Sequence, residues 1–202
     1  MGSSHDSDDL DALERTIRTY LLAVVLPLWI AAGSSDYVLH RRSNIEGTSG
    51  LKESALHAVG ISLAALPVVS GLFLEVNAGV LALMATGFSV HMGMTIWDVS
   101  YASTLREVTP TEQHVHAMLE LVPFSALSFM LCVHHEQALA LLGRGDAKPD
   151  FRLKPKRKPL PGKPVAAIIG AFTLLVAIPY VEELTRCYRY DRNKRKKTDV
   201  AD

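Results

Sequence analysis

The sequence predicts an all-α, polytopic membrane helix bundle with about five transmembrane helices. Two observations on the distribution of residues support this fold class. The average composition decides little, because 49% of the 202 residues are hydrophobic and a soluble domain can also be about half apolar. The charged residues gather at both ends of the chain and near positions 144–163, which leaves long apolar runs between them. Five of those runs approach the roughly 20 apolar residues that a helix needs to cross a bilayer.

Each predicted span corresponds to one apolar run. The five spans are Tyr20–Leu39, Ala55–Leu74, Ala78–Trp97, Val115–Val133 and Pro164–Val181. Several contain a proline, which membrane helices tolerate because neighbouring groups satisfy the carbonyls that proline leaves free. The first span follows an acidic segment and lacks the charged start and small-residue cleavage site of a signal peptide, so we expect it to remain as an anchor.

Composition divides the chain into five parts. They are an acidic amphipathic segment (1–19), a four-helix membrane core (20–142), a basic, proline-rich loop (143–163), a fifth membrane helix (164–185) and a basic tail (186–202). The loop is expected to be extended and solvated. Most of the remaining connections are short, so consecutive spans should be antiparallel neighbours.

Because successive spans alternate in direction, the two membrane faces can be told apart. We call the face at which the first span ends face A, and the opposite face B. Basic residues are divided almost evenly between the two faces, so the positive-inside rule favours neither orientation. Cys132 and Cys187 fall near opposite faces, and no disulfide between them is expected.

Each of the first four spans carries a carboxylate and a histidine toward face A. The eight predicted metal ligands, two from each span, are Asp36, His40, Glu53, His57, His91, Asp98, Glu112 and His116. The members of each pair are four or seven residues apart, which puts them on one side of their helix. Glu120 and Tyr101 lie one turn beyond members of this set and are candidate catalytic residues, although Tyr101 also fits an interfacial tyrosine.

Ionisable residues inside membrane spans cost roughly 2.5–3.5 kcal/mol each on insertion scales, so they usually mark function. The alternative is that the outermost carboxylates are interfacial residues that cap helices or pair with basic residues. The carboxylates are Asp36, Glu53 and Glu112, and the basic residues are Arg41, Arg42, Lys52 and Arg106. That alternative does not account for the deeper His91, His116 and Glu120. We therefore expect the first four spans to form a metal-binding core.

The predicted ligands indicate which metal would bind. Mixed imidazole and carboxylate ligands favour iron, zinc or manganese. Helix bundles that hold di-iron or di-manganese centres supply a carboxylate from each helix and Glu-x-x-His motifs from two of them. Eight ligands predict two metal ions, with iron favoured over zinc and manganese. His134 and His135 lie about 27 Å along the fourth helix from His116, too far to join this site.

Four short stretches resemble a family of small bacterial membrane proteins: Asp36–Arg41, Glu53–Ser54 with His57, Trp97–Asp98 with Tyr101, and Glu112–Gln113 with His116. The resemblance covers most of the chain and implies a bacterial inner membrane, but it transfers no functional residues. In general character the chain is similar to membrane-bound non-haem di-iron hydroxylases and desaturases. It departs from them because their clustered histidine boxes are absent and carboxylates take much of their place.

The sequence leaves four functions open. The favoured hypothesis is a metal-dependent, di-iron oxidoreductase that acts on a lipid or other hydrophobic substrate, with electrons from a separate donor because the chain has no flavin or nucleotide motif. The alternatives are a zinc-dependent intramembrane hydrolase in which Glu120 takes a proton from bound water, a non-enzymatic metal or proton transport protein, and a haem protein. The formal net charge of zero gives no indication of a nucleic-acid partner.

Overall fold

A computed structural model describes residues 3–199 of the chain, with side chains from residue 12 onward. The acidic side chains before Ala12 and the last three residues of the predicted basic tail lie outside this part. The helices are α1 (Ser3–Tyr20), α2 (Leu26–Arg42), α3 (Gly50–Phe73), α4 (Ala78–Ala102), α5 (Pro110–Val133), α6 (His135–Leu141), α7 (Gly162–Phe172) and α8 (Ile178–Thr198). The described residues form no β-strand, only an isolated bridge between Leu74 and Pro155.

Two π-helical turns join helices end to end. Leu21–Val25 connects α1 to α2, and Thr173–Ala177 connects α7 to α8. Each turn immediately precedes a helix with proline in its first turn, Pro27 in α2 and Pro179 in α8. Proline has no N–H to donate to the preceding turn, and the wider π turn accommodates that loss without breaking the helix.

Five helices are long and apolar enough to cross a membrane. They are Ala12–Arg42, Gly50–Phe73, Ala78–Ala102, Pro110–Val133 and Gly162–Thr198. The prediction of an all-α, polytopic membrane bundle is confirmed. The last helix continues well past Val181, so most of the predicted basic tail is helical. Its extension is held at Arg186, which pairs with Glu46, and at the buried Cys187.

Side-chain caps set where two of the spans begin. The Asn77 side chain accepts a hydrogen bond from the Val80 N–H and starts α4. The Thr109 hydroxyl accepts one from the Glu112 N–H and starts α5. Such caps satisfy backbone donors that the first turn of a helix leaves free. The cap at Thr109 therefore fixes which residues of α5 face inward.

The fifth span is part of the core and does not lie at its edge. Helix α8 packs against both α2 and α3, while α2 also packs on α5 and α3 on α4. The apolar centre of the bundle combines residues of α2, α3, α5 and the last span, including Trp29, Ala64, Val122 and Tyr180. The sequence predicted a core of four spans, and the structure adds the fifth to it.

The loop after α6 is extended, as predicted, but part of it is tied to the protein surface. The Lys154 carbonyl accepts a hydrogen bond from the Glu75 N–H at 2.9 Å, and the Lys156 backbone N–H donates to the Phe73 carbonyl at 2.9 Å. The Asn77 side chain also donates to the Arg152 carbonyl at 2.7 Å. Residues 150–157 therefore form a strap across the α3–α4 turn at face B. Both cysteines are free.

Candidate metal centre

Five helices turn ionisable side chains inward in the half of the bundle nearest face A. The eight residues, here called the face-A cluster, are Asp36 and His40 from α2, Glu53 and His57 from α3, Asp98 from α4, Glu112 and His116 from α5, and Glu183 from α8. All are buried, and the most exposed of them, His57, is only 8% accessible. The cluster thus concentrates five carboxylates and three imidazoles away from water.

His40 lies at the centre of the cluster. Its Nε2 is 3.5 Å from Asp36 Oδ1 and 3.5 Å from Glu112 Oε1. Its Nδ1 is 3.3 Å from Glu183 Oε2. Neither ring nitrogen makes a hydrogen bond with any described residue, although three carboxylates surround it. A neutral imidazole has a lone pair on one of its two nitrogens, so His40 could coordinate a cation through that nitrogen while the other carries the proton.

His57 lies beside His40 and shares a carboxylate with it. Its Nε2 is 3.0 Å from Asp98 Oδ2 and 3.9 Å from Glu53 Oε1. Its Nδ1 is 3.1 Å from Glu183 Oε1. Glu183 consequently directs one oxygen to each of the two histidines, which is the arrangement of a carboxylate able to bridge two ions.

The third histidine meets Asp36 on the other side of His40. His116 Nε2 is 2.9 Å from Asp36 Oδ1. The Tyr180 hydroxyl of α8 donates to Asp36 Oδ2 at 2.7 Å and is itself buried. This second hydrogen bond fixes the orientation of the Asp36 carboxylate, as supporting residues commonly do around metal ligands.

Arg106, in the loop between α4 and α5, closes the cluster toward face A. Its Nη2 lies 2.5 Å from Glu53 Oε1 and 2.5 Å from Glu112 Oε1, and its side chain is only 4% exposed. Burial alone would lower the pKa of Arg106, but its hydrogen bonds to Glu112 and Glu53 outweigh burial and raise the pKa above its usual value. The guanidinium therefore remains charged and holds the two carboxylates together.

The ligand atoms fall into four overlapping groups of three, and within each group the atoms lie within 4.8 Å of one another. The groups are Asp36–His40–His116, His40–His57–Glu183, His40–Glu53–Glu112 and Glu53–His57–Asp98. Asp98 Oδ1 has no hydrogen-bonding partner among the described residues, whereas Asp36 Oδ1 and Glu183 Oε2 lie 2.9 and 3.3 Å from ring nitrogens of His116 and His40. Each unsatisfied buried polar atom costs about 1–3 kcal/mol, which a bound cation would relieve.

Charge balance points in the same direction. Before the histidines are counted, the five carboxylates of the cluster and the Arg106 guanidinium carry a formal net charge of four negatives. Both ring nitrogens of His57 lie 3.0–3.1 Å from carboxylate oxygens, and a protonated imidazole satisfies both contacts, so the histidines can balance part of this charge. Uncompensated charge is costly in a low-dielectric interior. The remaining negative charge suits a bound divalent cation.

The structure brings together seven of the eight predicted ligands and leaves His91 outside. His91 is on the same side of α4 as Asp98 but about 10 Å deeper, since it lies seven residues earlier. Its Nδ1 donates to the Gly60 carbonyl at 3.1 Å. His91 lies outside the cluster because of its depth in the bundle. Two residues seven positions apart lie on the same side of a helix but in different layers.

The two predicted catalytic residues also lie apart from the cluster. The Tyr101 hydroxyl donates to the Ser49 carbonyl at 3.2 Å, and the Lys52 ammonium lies 4.1 Å from the centre of its ring. Glu120 is half-buried and belongs to none of the four ligand groups found among the described residues. Tyr101 therefore fits the interfacial role that the sequence also allowed.

Glu183 and Tyr180 were not predicted from the sequence as part of the site, whereas Arg106 was predicted only as an interfacial partner of the outer carboxylates, and it does pair with Glu53 and Glu112. Glu182 and Glu183 both follow the last apolar run, and only packing decides that Glu183 faces inward while Glu182 pairs with Arg41. The location of two carboxylates at the face-A end of the fifth span was the available signal. Arg106 lies in a loop, where no helical periodicity indicates which side chains turn inward.

Comparisons with known proteins do not assign the cluster to a family. No protein-family model, no curated protein and no solved structure matches the chain. The donor atoms, burial and charge of the cluster are consequently the basis on which its function is inferred.

Proposed function

We propose that the chain is a metalloprotein of the bacterial inner membrane whose face-A cluster binds two metal ions, and that it is a di-iron oxidoreductase acting on a lipid or other hydrophobic substrate. One observation carries this proposal. Buried nitrogen and oxygen atoms form four overlapping groups, and within each group the atoms lie within 4.8 Å of one another.

The donor set supports iron over the other candidates. Five carboxylates with three imidazoles resemble the ligands that helix bundles supply to di-iron and di-manganese centres. A single zinc ion needs only three or four ligands, so it would leave half of this cluster unused. Calcium disfavours imidazole and copper(I) favours sulfur, which makes both poor matches.

A di-iron centre would supply activation of O₂ for hydroxylation or desaturation of a C–H bond. Either reaction consumes one O₂ together with two electrons and two protons, which a separate reductase would provide. The chain contributes the environment: Tyr180 and Arg106 hold the carboxylates Asp36, Glu53 and Glu112 in place. The surrounding helices exclude water from the reacting atoms.

The alternatives are less well supported. Toward face B, the residues next to the cluster are apolar at Trp29, Ala64 and Val122 and do not continue the row of carboxylates and histidines that an ion path across the membrane would need. A haem would face five carboxylates, a poor environment for its own propionates. A zinc-dependent hydrolase differs from the proposal chiefly in the metal, so metal analysis separates the two.

Metal analysis of the purified full-length protein tests the proposal. We expect about two iron ions per chain by the ligand count for dinuclear bundle sites, with a Mössbauer signal of coupled non-haem iron. His116→Ala should lose metal. His114→Ala is the matched control on the same helix, because His114 is exposed and pairs only with the Pro110 carbonyl. One zinc per chain would favour the hydrolase, and no bound metal would overturn the proposal.

A further inference from the structure

The strap of residues 150–157 lies beside the first turn of α4. A Cβ added to Gly79 would be 2.8 Å from Phe151 Cα, and the Gly79 N–H donates to the Asp150 carbonyl at 2.9 Å. A Cβ projects sideways from a helix and is tilted toward its N-terminus, so the strap packs against the side of this turn. The strap is therefore level with the face-B end of the span.

The length of α4 gives the depth of this turn in the membrane. The helix has 25 residues. At about 1.5 Å per residue it is about 37 Å long. The hydrocarbon core of a bilayer is about 30 Å thick, and the bilayer with its headgroups is about 40–45 Å thick. The first turn of α4, and the strap beside it, therefore lie among the lipid headgroups of face B.

Two large apolar side chains of the strap are exposed. Phe151 and Leu153 are 59% and 62% accessible, and charged residues flank both of them in the sequence. Exposure of such side chains to water is unfavourable. At a membrane surface, the same side chains are stabilised by insertion at the boundary between headgroups and acyl chains. The strap thus presents apolar groups at the depth where that boundary lies.

The same segment is strongly basic. Residues 151–163 contain six basic residues and no acidic one. Arg152 and Lys154 both pair with Asp150, at 3.0 and 2.8 Å. Three other cations are exposed and form no ion pair within the described chain: Arg157, Lys158 and Lys163.

Carboxylates of the protein offset only part of this charge. Glu75 accepts a hydrogen bond from the backbone of the strap at 2.5 Å and lines a cavity together with Lys156. Glu14 and Arg18 of α1 line the same cavity, and their charges cancel. Two carboxylates, Asp150 and Glu75, therefore oppose six cations, which leaves an excess of four positive charges.

We propose that the strap, together with Lys158 and Lys163, binds the headgroups of anionic phospholipids at face B, with Phe151 and Leu153 inserted at the boundary with the acyl chains. Clusters of about four to eight Lys and Arg residues next to a membrane helix attract anionic lipids. Lipid headgroups surround every span at this depth, whereas an acidic protein would first have to displace them to reach Phe151. The inference is independent of the face-A cluster, which lies at the opposite side of the membrane.

Quenching of a tryptophan placed in the strap tests the proposal. The full-length protein with Phe151→Trp and Trp97→Phe is reconstituted in nanodiscs of phosphatidylcholine. A minor part of the lipid is brominated on its acyl chains and is either phosphatidylglycerol or phosphatidylcholine. The other tryptophan, Trp29, is buried, and its signal is measured in Trp97→Phe alone and subtracted.

We expect brominated phosphatidylglycerol to quench the strap tryptophan at a mole fraction about threefold to fivefold lower than brominated phosphatidylcholine needs. High salt should remove this difference, because it screens exposed charges. Both lipids carry a phosphate and the same acyl chains, so the difference between them reports the net charge of the headgroup.

Charge variants identify the residues that select the lipid. One variant neutralises the three exposed cations and should make the two brominated lipids equally effective: Arg157→Gln, Lys158→Gln and Lys163→Gln. The matched control removes three exposed cations from the end of α8 at face A and should retain the preference: Arg189→Gln, Arg192→Gln and Lys194→Gln. Equal quenching by the two lipids before these substitutions, or a preference that survives loss of the strap cations, would overturn the proposal. Absence of quenching by either lipid would also overturn it, because Phe151 would then lie outside the membrane.

Discussion

The imidazole rings of His40 and His57 lie parallel, with ring centres 4.3 Å apart and an interplanar angle of 1°. The two histidines come from different helices, and the rings also share Glu183, which directs one oxygen to each of them. Neither ring can move without displacing the other or the carboxylate between them. This relationship joins the four ligand groups into one unit.

The first prediction is that the two metal ions bind as a coupled pair. His57→Ala removes a ligand shared by two of the four groups and frees Glu183 from one of its partners. We therefore expect metal content to fall from two ions to below one, and not simply from two to one. Metal titration followed by calorimetry measures this. Retention of one ion at the original affinity would show that the sites are independent.

The second prediction concerns two adjacent glutamates. Glu183 is fully buried between His40 and His57, whereas Glu182 is half-exposed and pairs with Arg41. Glu183→Gln should lower metal affinity by at least tenfold, because a bridging carboxylate loses its charge. Glu182→Gln should leave metal affinity unchanged. Equal effects of the two substitutions, measured by metal competition with a chelator, would contradict the assignment of Glu183.

The third prediction is that Arg106 stabilises the metal-free protein and weakens metal binding. Arg106→Gln leaves Glu53 and Glu112 facing each other without a guanidinium, and loss of one partner from a buried ion pair costs roughly 3–5 kcal/mol. In chelator its Tm should fall. Added metal should then raise Tm by more than in the unmodified protein, because one positive charge has left the site. Arg41→Gln, at an exposed pair, is the control.

The pH dependence of that effect follows from the raised pKa of Arg106. A basic group whose pKa is higher in the folded than in the unfolded protein stabilises the folded state. This stabilisation is complete below the pKa of the group in the unfolded protein, and it is lost as the pH rises from there through the pKa in the folded protein. The Tm difference between Arg106→Gln and the unmodified protein should therefore be the same at about pH 6 and about pH 9. A difference that disappears within this window would show that the pair is not held by the guanidinium charge.

The fourth prediction concerns the strap at face B. A Cβ added to Gly79 would lie 2.8 Å from Phe151 Cα and 2.9 Å from its carbonyl oxygen. Gly79→Ala should therefore push residues 150–157 away and increase the rate of tryptic cleavage in this basic segment. Gly93→Ala, on the same helix with nothing within 4 Å of the added carbon, should not. Equal cleavage rates in the two variants would contradict the docking of the strap.

Much of this architecture could be predicted because membrane spans leave a strong signal. Apolar runs gave five helices, and spacings of four residues correctly paired Asp36 with His40 and Glu53 with His57 on common helix sides. The depth of each residue in the bundle was harder to predict. His91 and Asp98, seven residues apart, lie on the same side of α4 but at depths that differ by about 10 Å. His91 was consequently placed in the wrong layer.

The remaining residues depend on contacts between distant parts of the chain. Glu183 and Glu182 are equivalent in sequence, and the choice between them is made by packing of α8 against α2 and α3. Arg106 reaches the cluster from a loop, and the directions of loop side chains do not repeat at a regular spacing that could be recognised in the sequence. Residue spacing along one helix does not reveal such packing between distant helices. The sequence therefore predicted the four helices that contribute most of the cluster but not the contribution of α8.

The contribution of α8 also bears on how the protein is made. Tyr180 meets Asp36 across 144 positions of sequence, so the cluster joins the first span to the last. During synthesis, His40 and His57 can enter the membrane long before Glu183 exists. The complete cluster therefore forms only after insertion of the final helix, and a chain interrupted before it would lack both Glu183 and the Tyr180 hydroxyl that contacts Asp36.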